Sequence, residues 1–170
     1  MHFKCLFIRE RKRCKIDSCL EVSDMHFTRH TDYALRLLLH LAAEPEAKGV
    51  IADVAEIHAI SRNHLMKVVQ QLARGGFIAT QRGRGGGIAL ARAPERIHIG
   101  EVVRFTEPGT ALADCTSCRI GPACGLSRIF YEAQGAMLAV LDRYTLADAA
   151  GDRAKLAAMI DGLRGAPAPA

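Results

Sequence analysis

The order of helical and glycine-rich segments between residues 31 and 90 is the feature that most constrains the fold of this chain. Apolar residues recur there at helical spacing in three consecutive stretches, and each stretch has a residue suited to start or stop it. Thr31 and Ser61 are suited to cap the first and third stretches, and Gly75-Gly76 ends the third. The three predicted helices are Thr31–Ala43, Ile51–His58 and Ser61–Arg74.

A glycine-rich hairpin is predicted directly after the third helix. Two short strand candidates, Phe77–Thr80 and Ile88–Leu90, flank the run Arg82-Gly83-Arg84-Gly85-Gly86-Gly87. Glycines permit the positive φ angles of a tight hairpin tip. Helix, turn, helix and then a two-stranded hairpin is the order of a winged helix-turn-helix. We therefore expect a mainly α-helical protein built around such a domain.

The charge of this region favours nucleic acid as its partner. Residues 57–92 contain six basic residues and no Asp or Glu, although the net charge of the whole chain is only +5. A solvated surface normally mixes signs, so a run of one sign predicts contact with phosphate. A flexible basic loop or a nucleotide-phosphate cradle are alternatives, but the Gly-Lys-Ser/Thr ending of a P-loop is absent. The predicted DNA-binding residues are Ser61, Arg62, Asn63, His64, Lys67, Gln71, Arg82 and Arg84.

Three cysteines lie in a loop further along the chain. Cys115, Cys118 and Cys124 are separated by two and five residues, among glycine, proline, serine and threonine. In a reducing compartment such spacing favours metal binding over disulfides, and free thiols are the alternative. Three thiolates leave one ligand position open. A structural zinc site would close it with Cys or His, whereas an iron–sulfur cluster accepts a nonstandard ligand.

A long helix that needs a packing partner is predicted after the cysteine loop. A fourth helix, Ile99–Thr106, precedes the loop, and apolar residues recur at helical offsets from Ala123 to Tyr144. A lone helix cannot bury such a stripe, so we expect a dimerisation helix. Thr145 and Asp148 then resemble a capping box that opens a further helix. The predicted fold class is thus a winged helix-turn-helix domain with a long C-terminal dimerisation helix.

Five segments follow from these patterns. Met25-His26-Phe27 repeats Met1-His2-Phe3, which suggests that the native start is Met25 and that the preceding residues are an extension. No run is long and apolar enough to span a membrane and no signal peptide is present, so we expect a cytoplasmic protein. The segments are an extension at 1–24, a DNA-binding domain at 25–97, a helix and cluster-binding loop at 98–125, dimerisation and C-terminal helices at 126–162, and a disordered tail at 163–170.

Several strings in this chain resemble the NsrR/IscR group of iron–sulfur winged-helix repressors, and they look closest to its nitric-oxide-sensing branch. They are Thr31-Asp32-Tyr33-Ala34-Leu35-Arg36, Ser61–Val69, Arg82–Leu90, Ile120–Cys124 and Leu141–Asp148. The resemblance implies a homodimer on palindromic double-stranded promoter DNA, with an iron–sulfur cluster held by the three cysteines. It also implies that Asp32 from the partner subunit is the fourth ligand, that Arg36 couples the cluster to DNA, and that nitric oxide is the signal.

Two positions depart from the group's pattern. The first cysteine gap is two residues here and four or five in other members, and Ser127 stands where IscR-like proteins place a histidine ligand. Ser127 argues against an IscR-like ligand set, and the short gap leaves the cluster type open. The resemblance favours 4Fe–4S, with 2Fe–2S as the alternative. We expect a nitric-oxide-sensitive repressor and not an enzyme. The alternatives are an iron- or redox-responsive regulator of the same fold, a zinc-stabilised interaction module and an electron carrier.

Overall fold

The computed structural model describes residues 26–81, 83, 86–109, 112–113 and 115–164. The predicted extension at 1–24, Arg82 and Arg84 of the predicted hairpin tip, and residues 165–170 of the tail predicted at 163–170 lie outside the described residues. Seven α-helices and two strands occur in the part of the chain that the structure describes. In chain order these are α1 (Arg29–Ala43), α2 (Ile51–Ile57), α3 (Arg62–Arg74), β1 (Ile78–Gln81), β2 (Gly87–Leu90), α4 (Ile99–Thr106), α5 (Leu126–Leu141), α6 (Leu146–Ala150) and α7 (Arg153–Gly162).

The winged helix-turn-helix prediction is confirmed. The turn between α2 and α3 places Ala59 in the left-handed region at φ 52°, and the Ile60 amide donates to the Ala55 carbonyl at 2.8 Å. Strands β1 and β2 pair antiparallel from Ile78↔Leu90 to Gln81↔Gly87. The hairpin is extended by a bridge that the sequence did not predict, in which Gly49 and Ile88 exchange two backbone hydrogen bonds of 2.8 and 2.9 Å.

One apolar core unites α1, α2, α3, the hairpin and the C-terminal helix α6. Its largest fully buried side chains include Leu37, Leu38, Leu65, Leu72 and Phe77. Leu146 and Ala150 of α6 belong to the same core, and α7 packs against α1. The C-terminal helices therefore fold back onto the first helix of the DNA-binding domain.

The start of α1 differs from the sequence prediction. Thr28, not Thr31, caps the helix: its side chain accepts from the Thr31 amide at 3.4 Å. Thr31 is fully buried, and its hydroxyl donates to the Thr106 hydroxyl at 2.9 Å. Thr31 is thus a packing residue within the helix, and Asp32 keeps its predicted place in the first turn. The predicted capping box of α6 is confirmed, with Thr145 and Asp148 bonded reciprocally at 2.8 and 3.1 Å.

Helix α4 is fixed against the chain that follows α5. Arg104 donates to both carboxylate oxygens of Asp142, at 2.6 and 3.0 Å. This contact holds the pKa of Asp142 below its usual range. Gly100 makes the close approach possible, because a Cβ there would lie 2.2 Å from the Asp142 carboxylate. Helix α4, after which the cysteine loop begins, is therefore anchored to the C-terminal end of α5.

Two histidines pack together between α1 and the end of α2. His58 Nε2 and His40 Nδ1 lie 3.3 Å apart, and the rings meet edge to face with centroids 5.3 Å apart. Burial lowers the pKa of His58 to about 4, with further contributions from His40 and Arg36. Burial also lowers the pKa of His40. Both rings are therefore neutral near pH 7.

We expect the protein to lose stability as the pH falls from 6.5 towards 4. In that window the unfolded chain binds a proton at His58 that the folded chain does not, so lowering the pH favours unfolding. The melting temperature measured at pH 7.5 and pH 5 should differ. His58→Gln should make this difference smaller, since it removes the titrating ring. An equal pH dependence in both proteins would show that His58 is not responsible.

Candidate functional site

The exposed face of α3 carries most of the predicted DNA-binding residues. Ser61, Arg62, Asn63, His64 and Lys67 are all exposed, whereas the opposite face of the helix is buried. The buried side chains are Leu65, Val68, Val69 and Leu72. The helix is therefore held by its apolar face and presents its N-terminal polar residues to solvent, as a recognition helix must.

Two residues of the predicted basic surface have partners within the protein instead. Gln71 Nε2 donates to the Phe105 carbonyl of α4 at 3.1 Å, so its amide is directed towards α4. Arg92 forms an ion pair with Glu101 at 3.0 Å, and its guanidinium carbon lies 5.0 Å from the centre of the Phe77 ring. We accordingly leave Gln71 and Arg92 out of the DNA surface.

The hairpin gains a basic residue that the sequence analysis missed. The bridge between Gly49 and Ile88 brings Lys48 beside β1, where its ammonium donates to the Gln81 side chain. Lys48 lies outside the acid-free run at 57–92, and a pairing across 33 residues has no local sequence signal. The charge of Lys48 and the glycine after it are visible in the sequence, but neither predicts a position beside β1.

Asp32 and Arg36 form an ion pair on the exposed side of α1. Arg36 Nε donates to Asp32 Oδ1 at 2.9 Å, and the second oxygen lies 2.8 Å from Nη2. Nearly half of each side chain is exposed, so solvent weakens the attraction between them. The pair lines an open hollow beside the α2–α3 turn, together with His58 and Ala59. Asp32 can therefore exchange Arg36 for another positive partner or metal without leaving a buried core.

The three cysteines are arranged around one glycine. Gly121 donates its amide to the Cys118 carbonyl at 3.0 Å and accepts from the Cys124 amide at 3.1 Å. A Cβ at Gly121 would lie 3.1 Å from the Cys115 carbonyl and 3.9 Å from the Cys118 Cβ. Cys115 and Cys124 are half-buried, Cys118 is exposed, and all three are free thiols. The loop therefore packs closely around Gly121, where a larger residue would crowd the Cys115 carbonyl.

The donor set of this loop suits an iron–sulfur cluster, because thiolates are the ligands such clusters require. Within the described residues, no three His, Cys, Asp or Glu side chains are already gathered in a geometry that could hold a metal ion. Asp32 of the same chain is not grouped with the cysteines either.

The cysteine loop begins where α4 touches the DNA-binding domain. Glu107, the first residue after α4, accepts a hydrogen bond of 2.6 Å from the Thr28 amide at the start of α1. The preceding residue, Thr106, bonds to the buried Thr31. The Phe105 ring packs on Phe77 with centroids 5.4 Å apart. The chain that enters the loop is therefore attached to α1 and to the segment after α3.

None of the described helices is long and apolar enough to cross a membrane.

Comparison with known proteins identifies relatives over most of this chain. The model of the Rrf2 family, described as iron-dependent transcriptional regulators, matches residues 27–152. The HTH-type transcriptional regulator NsrR of Bacillus subtilis (strain 168) is 50% identical over 130 residues, covering 73% of this chain and 89% of that protein. NsrR of Geobacillus kaustophilus (strain HTA426) is 46% identical over 147 residues, covering 83% of this chain and 100% of that protein.

Among solved structures, T. potens IscR matches with a TM-score of 0.63. It is 23% identical, and the match covers 77% of this chain and 90% of that one. At this identity the likeness supports the fold alone, and it agrees with the winged helix-turn-helix described above.

Proposed function

The chain belongs to the Rrf2 family of iron-dependent transcriptional regulators, and we propose that it is a repressor. In this proposal its affinity for operator DNA depends on an iron–sulfur cluster and falls when nitric oxide is present. The observation that carries this proposal is the position of the three cysteines. They surround Gly121 in a loop whose first residues are bonded to α1 and packed beside the end of α3. A conformational change in the loop can therefore alter the position of α3 through these direct contacts.

The DNA surface that we propose consists of the exposed start of α3 and the hairpin. Ser61, Arg62, Asn63 and His64 would enter the major groove, because they precede the buried stripe that holds the helix. Arg and Asn side chains can read guanine and adenine edges there. Lys67 on the same face would bind the backbone phosphate. Arg82 and Arg84, which the sequence predicts at the hairpin tip, would reach the backbone or a minor groove.

Arg62→Ala should reduce discrimination between operator and random DNA by roughly tenfold, as expected for loss of one base contact. Lys67→Ala is the matched comparison. It should weaken both kinds of binding alike and lower the slope of log affinity against log salt by about one. Affinities for operator and random duplexes at several salt concentrations test both. An equal loss on both duplexes for Arg62→Ala would reduce its role to a phosphate contact.

The cysteine loop is the proposed cluster site. Cys115, Cys118 and Cys124 would supply three thiolates, and the partner subunit's Asp32 would supply the remaining ligand. When bound, the cluster would provide iron that nitric oxide attacks, with 4Fe–4S favoured over 2Fe–2S. Arg36 is paired with Asp32 within one chain, so Asp32 must leave that pair to serve the other subunit. We propose that this exchange is the coupling role of Arg36.

A homodimer through α5 is part of the proposal. No residue of this 16-residue helix is buried. One side faces its own chain through half-buried Phe130, Met137 and Leu141. A second side carries an exposed apolar stripe, with 49% of Leu126, 51% of Ile129 and 43% of Val140 accessible. The spacing of this stripe fits a second copy of the same helix, which would exclude water from it.

The direct test is a nitric oxide titration of anaerobically purified protein bound to its operator. We expect a coloured, iron- and sulfide-containing dimer that releases DNA as nitric oxide is added. Parallel titrations with a chelator and with peroxide separate an iron- or redox-responsive regulator from a nitric oxide sensor. A colourless protein with unchanged operator affinity would contradict the proposal, and zinc without iron would favour a structural metal module.

A further inference from the structure

Gln71 joins the recognition helix to the end of α4. Its side-chain nitrogen donates to the Phe105 carbonyl at 3.1 Å, across 34 positions of sequence. Phe105 is the penultimate residue of α4, where a carbonyl has no partner within its own helix. Gln71 therefore caps the C-terminal end of α4 from outside. The contact is partly buried, so loss of the donor would leave the carbonyl poorly satisfied.

The two helices also touch through rings at this point. Gly75 ends α3, and a Cβ on it would lie 2.7 Å from both the Phe105 and the Phe77 rings. The Phe105 ring therefore packs directly against the end of the recognition helix. A displacement of Phe105 towards α3 would therefore press on the end of that helix, because no space separates the two.

The end of α4 is hydrogen-bonded to α1 on its other side. The Thr106 hydroxyl accepts from Thr31 and donates to the Val102 carbonyl, both at 2.9 Å. Thr106 is 5% exposed and Thr31 is fully buried. The last turn of α4 thus contacts both α1 and α3, and the cysteine loop begins directly after it.

We propose that Gln71 is a positioning residue that transmits the state of the cysteine loop to the recognition helix, and that it does not read DNA bases. The inference rests on the proposed function, since it names the route by which the loop changes DNA affinity. A loop that alters the last turn of α4 moves or withdraws the Phe105 carbonyl. Gln71 then loses its acceptor, and the orientation of α3 changes with it.

Gln71→Met tests this role, because methionine keeps the length of the side chain and removes the donor. Gln70→Met is the matched control, since Gln70 is the adjacent exposed residue of the same type on α3. The operator is first selected from random duplexes with wild-type protein. Affinities are then measured for the operator and for each of its single-base variants, with cluster-loaded protein and with protein cleared by a chelator.

Cluster-loaded protein is compared with chelator-treated protein through the ratio of their affinities for the operator. For Gln71→Met we expect this ratio to fall about fivefold, as for loss of one hydrogen bond. Its pattern of base preferences should keep the wild-type shape, with all positions weakened alike. Gln70→Met should keep the wild-type ratio. Loss of preference at a single base position would overturn the inference, because it would show direct base reading. An unchanged ratio would overturn it too.

A separate measurement distinguishes this inference from the proposed function. If the wild-type protein binds its operator equally with and without the cluster, the proposed function fails. The positioning role of Gln71 is then tested by measuring amide hydrogen exchange in chelator-treated protein, which lacks the cluster. Gln71→Met should accelerate exchange at the amides of residues 72–77, 105–107 and 109 relative to Gln70→Met. Equal exchange in the two variants would overturn the positioning role itself.

Discussion

Cys124→Ala protein, purified without oxygen, should contain less than about a tenth of the wild-type iron, because a cluster cannot be retained on two thiolates and one weak ligand. Its operator affinity should match that of chelator-cleared wild-type protein and should not respond to nitric oxide. In cells the target genes would then be expressed without the signal. Cys115→Ala and Cys118→Ala should behave in the same way, since each removes one of three ligands.

The other cysteines of the chain supply the control. Cys5, Cys14 and Cys19 lie outside the described residues, and their spacing has no recognised ligand pattern. Cys19→Ala should therefore retain iron, sulfide and the nitric oxide response. Iron and sulfide analysis, the visible absorption spectrum and operator affinity distinguish the two variants. Wild-type iron content in Cys124→Ala would contradict the assignment of this residue as a ligand.

Ile129→Asp should convert the protein to a monomer and reduce operator affinity by more than about a hundredfold. Ile129 lies in the middle of the exposed stripe of α5, where a carboxylate would have to be desolvated in the dimer. A monomer binds one half of a palindrome and loses the advantage of simultaneous contacts. Because half of Ile129 is exposed in the single chain, its replacement should leave the fold of the chain intact.

Ala139→Asp introduces the same charge on another side of α5. Ala139 lies on the face that carries Arg128 and Glu132, a surface ion pair with N and O 3.8 Å apart. It should remain dimeric and bind the operator with wild-type affinity. Sedimentation velocity and operator titration decide the outcome. A dimeric Ile129→Asp protein would exclude this stripe as the interface.

The regulator family and the fold follow from patterns that are local in sequence. Residues 51–74 show the periodicity of two short helices and the turn between them, and the glycine run after them predicts the hairpin. The likeness to NsrR proteins is confirmed by relatives that match most of the chain. Helical period, capping box and turn chemistry are set by residues only a few positions apart, so these predictions needed no tertiary information.

The roles of several single residues could not be predicted in this way. Thr31 had the side chain of a helix cap, but packing places its hydroxyl against Thr106, 75 positions away. Gln71 lies on the polar side of α3, yet its acceptor is on α4. Arg92 belongs to the acid-free run, but folding brings Glu101 to it. In each case a partner distant in sequence decided what a polar side chain does.

The sequence by itself determined the order of elements, the basic face of α3 and the three thiol donors, because period, charge and ligand chemistry belong to the residues themselves. Only the tertiary structure decided which polar residues of α3 are exposed and which are bonded within the protein, which side of α5 remains uncovered, and that the cysteine loop begins near the end of α3. Those properties depend on how α4 packs against α1, α5 and the end of α3. That packing depends on contacts between residues far apart in the chain, so no local sequence pattern predicts it.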